Sequence, residues 1–538
     1  MKESREGGIM NYYEPNASGV SSPADRAALF DSMVDRIMSR DAFVPVKLQR
    51  LGVDVRRALL ACRDEVIAAD SDEKLIYALL KASCARKDPH VRVHLVTGGL
   101  QLSGAPVDRA SVRIDQLPAS QAPIRFAVDY SGVDPASMHG PAFAPGRSVF
   151  VADYAPSLVA LRGGSAPAIG DRLIAVNGQP FDDYLCCVEP YSRYATANGF
   201  WWRMAAKIPV RSREYPPHFF DDTATFTLEH RDGRIYDLTL PYKPTIDKRE
   251  WTGTWKEFGD FRYPGFTKVH ESATYQLYAH DAGRPVVVID FHKFGATLIE
   301  DTDALVAYAE ANGLLGHAVV FDATRAGGGS LGAYAIRHLS PKPFRTTFGN
   351  LRISDVVEPF AEEMRARRDA RLPMTAEDDG SWLVDWLDTD VAKAVRCRDH
   401  YSNDVPFKSS HLPRDSDGVL QPAPLHFSGP MVCLLGPHGG SHLDQFAAMI
   451  ADNGLAHIVG MPAGGYSNTW EWEETLHFPI CRLPTVKLMY SMGHTIRPNG
   501  QLLEGNPADA DEFVPLTRDN YVGYHELLLE RAMRHLGL

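Results

Sequence analysis

Pro430-Met-Val-Cys-Leu-Leu-Gly-Pro-His-Gly-Gly-Ser441-His-Leu-Asp444 decides how this chain is read. Met431 to Leu435 form an unbroken apolar run, the mark of a strand buried on both faces. A glycine-rich loop follows, and His442 to Asn453 carries helical periodicity. Strand, glycine loop and helix in that order form the unit of a mostly parallel α/β sheet. A serine between loop and helix has its hydroxyl at the sheet edge, beside helix N–H groups that can receive an oxyanion. Ser is equally a common N-cap, and Asp444 three residues on fits a capping-box-like partner. Local pattern therefore leaves nucleophile and cap both open for Ser441. It is not the G-x-S-x-G elbow.

Outward from this stretch the same unit recurs. Val286 to Asp290, Ala318 to Asp322 and Ala456 to Val459 read as buried strands, with helices over 300–312 and 331–339. Gly327-Gly-Gly329 follows the second strand. The spacing matches neither a Walker loop nor G-x-G-x-x-G, so a phosphate cradle is a poor fit. A second oxyanion donor fits better, and tight helix–sheet packing explains the glycines too. Residues 370–425, with Trp382 and Trp386, interrupt the pattern as an insertion or lid.

Upstream, residues 1–25 are polar and read as a loosely held arm. Apolar stripes at three- and four-residue steps predict helices from 26 to 87, ended by Asp88-Pro89. Val91, Val93 and Leu95 alternate with His90, Arg92 and His94, so His90 stands where helix hands over to strand. Residues 106–170 read as irregular β structure. Asn177-Gly178 supplies a positive-φ turn, and 224–240 reads as a hairpin around Asp232-Gly233. The aromatic segment with Tyr191, Tyr194, Phe200, Trp201 and Trp202 is either core or a substrate wall.

The chain has 538 residues, more than one core covers, and is 44% hydrophobic and 23% charged, which excludes a largely disordered or fibrous protein. Lys plus Arg number 56 against 68 Asp plus Glu, a net charge of −12, the wrong sign for a nucleic-acid binder. The 7 cysteines are scattered and lack paired CxxC spacing, so neither a disulfide framework nor a zinc site is expected. No stretch approaches about 18 apolar residues and no secretory signal opens the chain, which predicts no membrane span and a cytoplasmic location.

Together these pieces resemble the carboxyl-terminal processing and tricorn-type serine peptidases. Asp322 to Gly329 looks like their strand-Asp-Arg-glycine stretch, with Arg325 one residue late. Ser441 to Asp444 looks like their nucleophile region, and Glu504-Gly-Asn-Pro507 like their terminal Glu-Gly element. Gly170 to Gly178 resembles the second half of a PDZ domain. Members with a Ser–Lys dyad carry Lys where this chain has Gly465 or Tyr466; Lys293 and Lys487 are the substitutes at hand. Members with His–Ser–Glu, the tricorn and chlamydial types, carry an Asp-x-His element, matched by Asp88-Pro-His90. That resemblance implies Ser441 as nucleophile, His90 as base and acid, Glu504 as its orienter, and an oxyanion hole from the His442 and Gly328 N–H groups. Asp444, where this family often has Glu, is open to a supporting role; His438 and His442 read as bases or metal ligands or as loop and helix-start surface residues, and His94, on the strand face of His90 and Arg92, either binds a carboxylate or is solvated.

The resemblance also implies an α/β catalytic core of the ClpP/crotonase-like type, with an N-terminal helical region and a PDZ-like β domain. The expected division is an arm (1–25), a helical region (26–105), a PDZ-like domain with an aromatic insertion (106–245), and the hydrolase core with its insertion at 370–425 (246–538). The expected substrate is a peptide or small acyl compound, cleaved without metal or cofactor. Small amides, esters or lactones, and a non-catalytic peptide-binding relative, are the alternatives. Homo-oligomerisation is left open.

Overall fold

The computed structural model describes residues 22–91, 93–96, 100–102, 105–107, 112–113, 119–140, 147–160, 166–372, 380–408, 417–468, 470–477 and 485–538. The predicted arm up to residue 21 and the side chains of Arg92 and His94 lie outside them. The central sheet has seven strands whose order in space is their order in the chain: β1 (Phe266–Glu271), β2 (Tyr275–His280), β3 (Val286–Phe291), β4 (Ala318–Asp322), β5 (Met431–Leu435), β6 (His457–Gly460) and β7 (Glu512–Phe513). β3 to β7 are parallel, and β4 pairs with β5 from Val319↔Met431 to Asp322↔Leu434.

Every residue of β3, β4 and β5 is buried, because side chains alternate between two covered faces. Val287, Ile289, Val319, Phe321 and Cys433 pack with Leu305, Ile336 and Phe446 from the helices Leu298–Ala311, Gly332–Leu339 and His442–Asp452. Val286, Val288, Val320, Val432 and Leu434 face the other way, onto Leu528 and Ala532 of the helix Tyr524–His535 and onto the second sheet.

That sheet corrects the expected ClpP/crotonase-like core. It is mixed: β1 and β2 are antiparallel to their neighbours. The physical reason is the chain between them. Three residues join β1 to β2 and five join β2 to β3, too few for the crossover that a parallel pair needs.

A second sheet is an antiparallel meander of Ile124–Asp129, Ser148–Tyr154, Arg172–Val176, Thr223–Glu229 and Ile235–Pro241. Asn177 (φ 49°) and Gly178 (φ 77°) make the predicted positive-φ turn. The aromatic segment lies between its third and fourth strands. Phe200 and Trp201 are core residues on the helix Ala197–Lys207, whereas their neighbour Trp202 faces His438 in the Ser441 loop, ring centroids 5.8 Å apart.

Five helices between Pro23 and Cys84 bury Phe30, Ile37, Leu59, Val66, Leu75 and Leu79 together with Leu488 and Tyr490. The last two stand on the strand Thr485–Ser491, which pairs antiparallel with Val93–Val96. The N-terminal region is thus sewn to the far end of the chain, and that seam carries His90. From the inserted region, Trp386 stacks on Trp470, a few residues beyond Tyr466. Among the described residues, no helix is long and apolar enough to cross a membrane, and no group of three His, Cys, Asp or Glu is placed to hold a metal ion.

Candidate active site

Ser441 stands at the N-cap position of the helix His442–Asp452, with φ 62° and ψ −125°, and its side chain makes no capping hydrogen bond. A positive φ is uncommon for a residue with a Cβ, and such strain persists only where the surroundings impose it. Here the Ser441 N–H donates to the Tyr466 carbonyl at 2.9 Å. The hydroxyl, freed from capping, lies 3.1 Å from His90 Nε2. Of the two readings open for Ser441, capping is not what the hydroxyl does; it faces the His90 imidazole.

His90 arrives from 351 residues upstream. The helix Asp72–Cys84 stops, Lys87 turns the chain at φ 54°, and the Asp88 carboxylate accepts the His90 N–H at 2.9 Å. The imidazole packs edge-on against Tyr466, centroids 4.9 Å apart. Burial pushes its pKa below the ordinary value while Asp88 pulls it up and Arg203 adds to the lowering. The ring is therefore neutral at pH 7, the state a general base needs.

Glu504 does not reach His90. Its Oε1 is taken by Lys47 of the helix Val44–Leu51, with both side chains buried, and its Oε2 and the His90 Nδ1 are each left without a hydrogen-bond partner. The reason is electrostatic: a carboxylate buried to 1% exposure needs a counter-charge in contact. Burial still outweighs Lys47 and raises Glu504 to about 8.

Gly328 lies against the serine: a Cβ there would stand 2.9 Å from Ser441 Cβ and 3.3 Å from its Oγ. His442 opens the helix, so its N–H has no partner one turn back. Its side chain points away, accepting the Gly332 N–H at Nε2 (2.7 Å) beside Phe294. Burial drives that imidazole down to about 3, a neutral structural acceptor. Asp444 is buried too, and its two oxygens accept the N–H groups of Gly465 (3.0 Å) and Tyr466 (3.1 Å). Burial raises it to about 7. In place of a capping box it pins the loop that holds the serine. His438 lies between Trp202 and Trp255. Lys487 is spent on Glu473 at 2.5 Å, and Lys293 is an exposed residue.

Sequence reasoning missed three residues. Tyr466, whose part here no motif announced, walls His90, and its carbonyl accepts the serine N–H. Arg203 donates to the Tyr466 hydroxyl at 2.6 Å and lies over its ring. Lys47 neutralises Glu504. No motif marks them; each is set by what surrounds it in space.

The sequence matches no family model and no curated protein. The solved structures give a different result. The fold is similar to that of CPAF. Mature CPAF aligns with a TM-score of 0.65 at 15% identity, covering 95% of this chain and 96% of that one. Its complex with lactacystin aligns with a TM-score of 0.64 at 14% identity, covering 95% and 98%. A CPAF mutant aligns with a TM-score of 0.65 at 13% identity, covering 96% and 98%. The chain as a whole is therefore a mixed α/β fold like CPAF's, in place of the ClpP/crotonase-like core expected from sequence.

Proposed function

We propose that the chain is a serine hydrolase that cleaves peptide bonds through an acyl-enzyme on Ser441. The observation that carries this reading is the 3.1 Å approach of a neutral His90 Nε2 to an uncapped, strained Ser441 hydroxyl. The order of motifs resembling the carboxyl-terminal processing and tricorn-type peptidases supports it, as does the fold shared with CPAF.

In this mechanism His90 Nε2 takes the Ser441 hydroxyl proton as Oγ attacks the scissile carbonyl. The oxyanion is received by the His442 N–H at the helix start and the Gly328 N–H beside the serine. The imidazolium then protonates the leaving amine, and the acyl-serine forms. A water activated by the same nitrogen releases the acid. Strain at Ser441 holds Oγ forward, so little reorganisation is left for the reaction itself.

The test is labelling with a fluorophosphonate, read by intact mass. Wild type gains one adduct, which peptide mapping places on Ser441. S441A gains none, and H90A labels roughly a hundredfold more slowly, the scale of a lost general base. Folded wild-type protein that gains no adduct, or labelling untouched by H90A, would overturn the assignment.

A further inference from the structure

The base of a serine hydrolase needs its second ring nitrogen held, and Glu504 does not hold it. What stands behind His90 instead is a chain of side chains. The His90 N–H donates to Asp88 Oδ1 (2.9 Å), the Ser491 hydroxyl donates to Asp88 Oδ2 (2.7 Å), and Asn468 Nδ2 donates to Ser491 Oγ (2.6 Å). Two buried atoms at the ends of this chain have no partner of their own, Asn468 Oδ1 and His90 Nδ1.

Chemistry fixes the direction of every bond in it. A carboxylate can only accept, so the Ser491 proton points at Asp88 and the hydroxyl's lone pair must face a donor. Asn468 Nδ2 also lies 3.3 Å from a Glu471 carboxylate oxygen, which again requires the NH₂ group on that side. The amide therefore cannot be turned over, and its carbonyl oxygen is left for the imidazole. The Asn468 side chain lies close enough to the imidazole to pull its pKa up, although burial, the larger effect, lowers it. Asp88 is 1% exposed and Ser491 fully buried. Although burial opposes it, Lys47, His90 and the Ser491 hydroxyl keep Asp88 below its usual pKa and so ionised.

We propose that Asn468 is the positioning residue of His90: its carbonyl oxygen takes the Nδ1 proton, closing a ring through Ser491 and Asp88 and leaving Nε2 bare toward Ser441. This rests on the reading of Ser441 and His90 as nucleophile and base. Asp88 anchors the ring at a buried charge on the same segment as the base, so the imidazole is tied to its own backbone through three side chains. A neutral amide here fixes the tautomer without adding a second negative charge beside Asp88. The other charged or titratable groups around His90 are Asp88, Arg203, Arg193 and Tyr466, and none of them meets Nδ1.

The experiment follows His90 by NMR in full-length protein with carbon-13-labelled histidine, the signal assigned by its loss in H90A. Fluorophosphonate labelling is measured in parallel. Asn468→Ala is expected to lower the His90 titration midpoint by at least half a pH unit and to slow labelling roughly a hundredfold, with labelling still saturating at the same probe concentration. Asn468→Asp restores an acceptor, so the midpoint is expected to rise above that of wild type. It keeps the proposal testable if the alanine variant does not fold. An unchanged midpoint in both variants overturns the proposal. If the midpoints move as expected but wild type does not label, the positioning role stands and the hydrolase reading falls.

Discussion

A Cβ on Gly328 would lie 2.9 Å from the Cβ of Ser441 and 3.0 Å from the Gly440 carbonyl oxygen. Contacts that short force something to move, and what moves is the strained turn presenting the serine. Gly328→Ala is expected to cut fluorophosphonate labelling at least tenfold while the far-ultraviolet circular dichroism is unchanged. Gly327→Ala is the control, because its Cβ would meet nothing closer than Lys293 Cβ at 3.6 Å. Equal labelling by the two variants would remove Gly328 from the site.

Lys47 and Glu504 form a buried pair that braces the site from behind. Removing one partner of such a pair costs roughly 3–5 kcal/mol because the other is left uncompensated. Lys47→Met is expected to lose stability on that scale at pH 8, measured by urea unfolding. The loss should grow above pH 8 and shrink below it, since folded Glu504, at about 8, then carries a proton whether or not Lys47 is present. The double variant with Glu504→Leu should regain most of the stability. A Lys47→Met loss independent of pH would contradict the pairing.

Burial holds His442 near 3 and His494 near 4, both below the ordinary 6.5. Between those values and 6.5 the unfolded chain binds protons that the native protein refuses. Stability from these two residues is therefore complete above about pH 6.5 and lost as pH falls, at about 1.4 kcal/mol per pH unit for each. His442→Gln, whose amide oxygen can still accept the Gly332 N–H, is expected to flatten the acid side of the urea-midpoint profile. An acid slope as steep as wild type's would mean that His442 is protonated in the folded state.

Asp444 secures the serine indirectly, through the N–H groups of Gly465 and Tyr466. Asn at this position points an NH₂ group at one of those donors, which costs roughly 1–3 kcal/mol. Asp444→Asn is therefore expected to lower the melting temperature and slow labelling of Ser441 together. Loss of stability with full labelling would show that the loop does not position the serine.

Much of this protein is written in local pattern. The all-apolar runs at Val286, Ala318 and Met431 determined buried parallel strands, because a period of two with both faces covered leaves no polar position. Asn177-Gly178 determined a turn, since few residues tolerate positive φ. The stretch before Ser441 determined that a serine would stand between strand and helix. Antiparallel β1 and β2 were outside the reading, because Phe266–Glu271 and Tyr275–His280 carry neither an unbroken apolar run nor a clean period of two.

What only the tertiary structure decided is which side chains meet. Whether Ser441 caps its helix or faces a base depends on His90, brought 351 residues along the chain by pairing of the strands around Val93 and Leu488. Glu504 is the residue that the resemblance implies as orienter, yet it sits beside Lys47, whose charge it needs once both are buried. Asn468 carries no motif at all, and its importance comes from Asp88 and Ser491 fixing which way its amide turns. Local periodicity is set by the backbone's own repeat, so one sequence reveals it. A contact between distant side chains is set by desolvation and hydrogen-bond pairing among groups brought together by the whole fold.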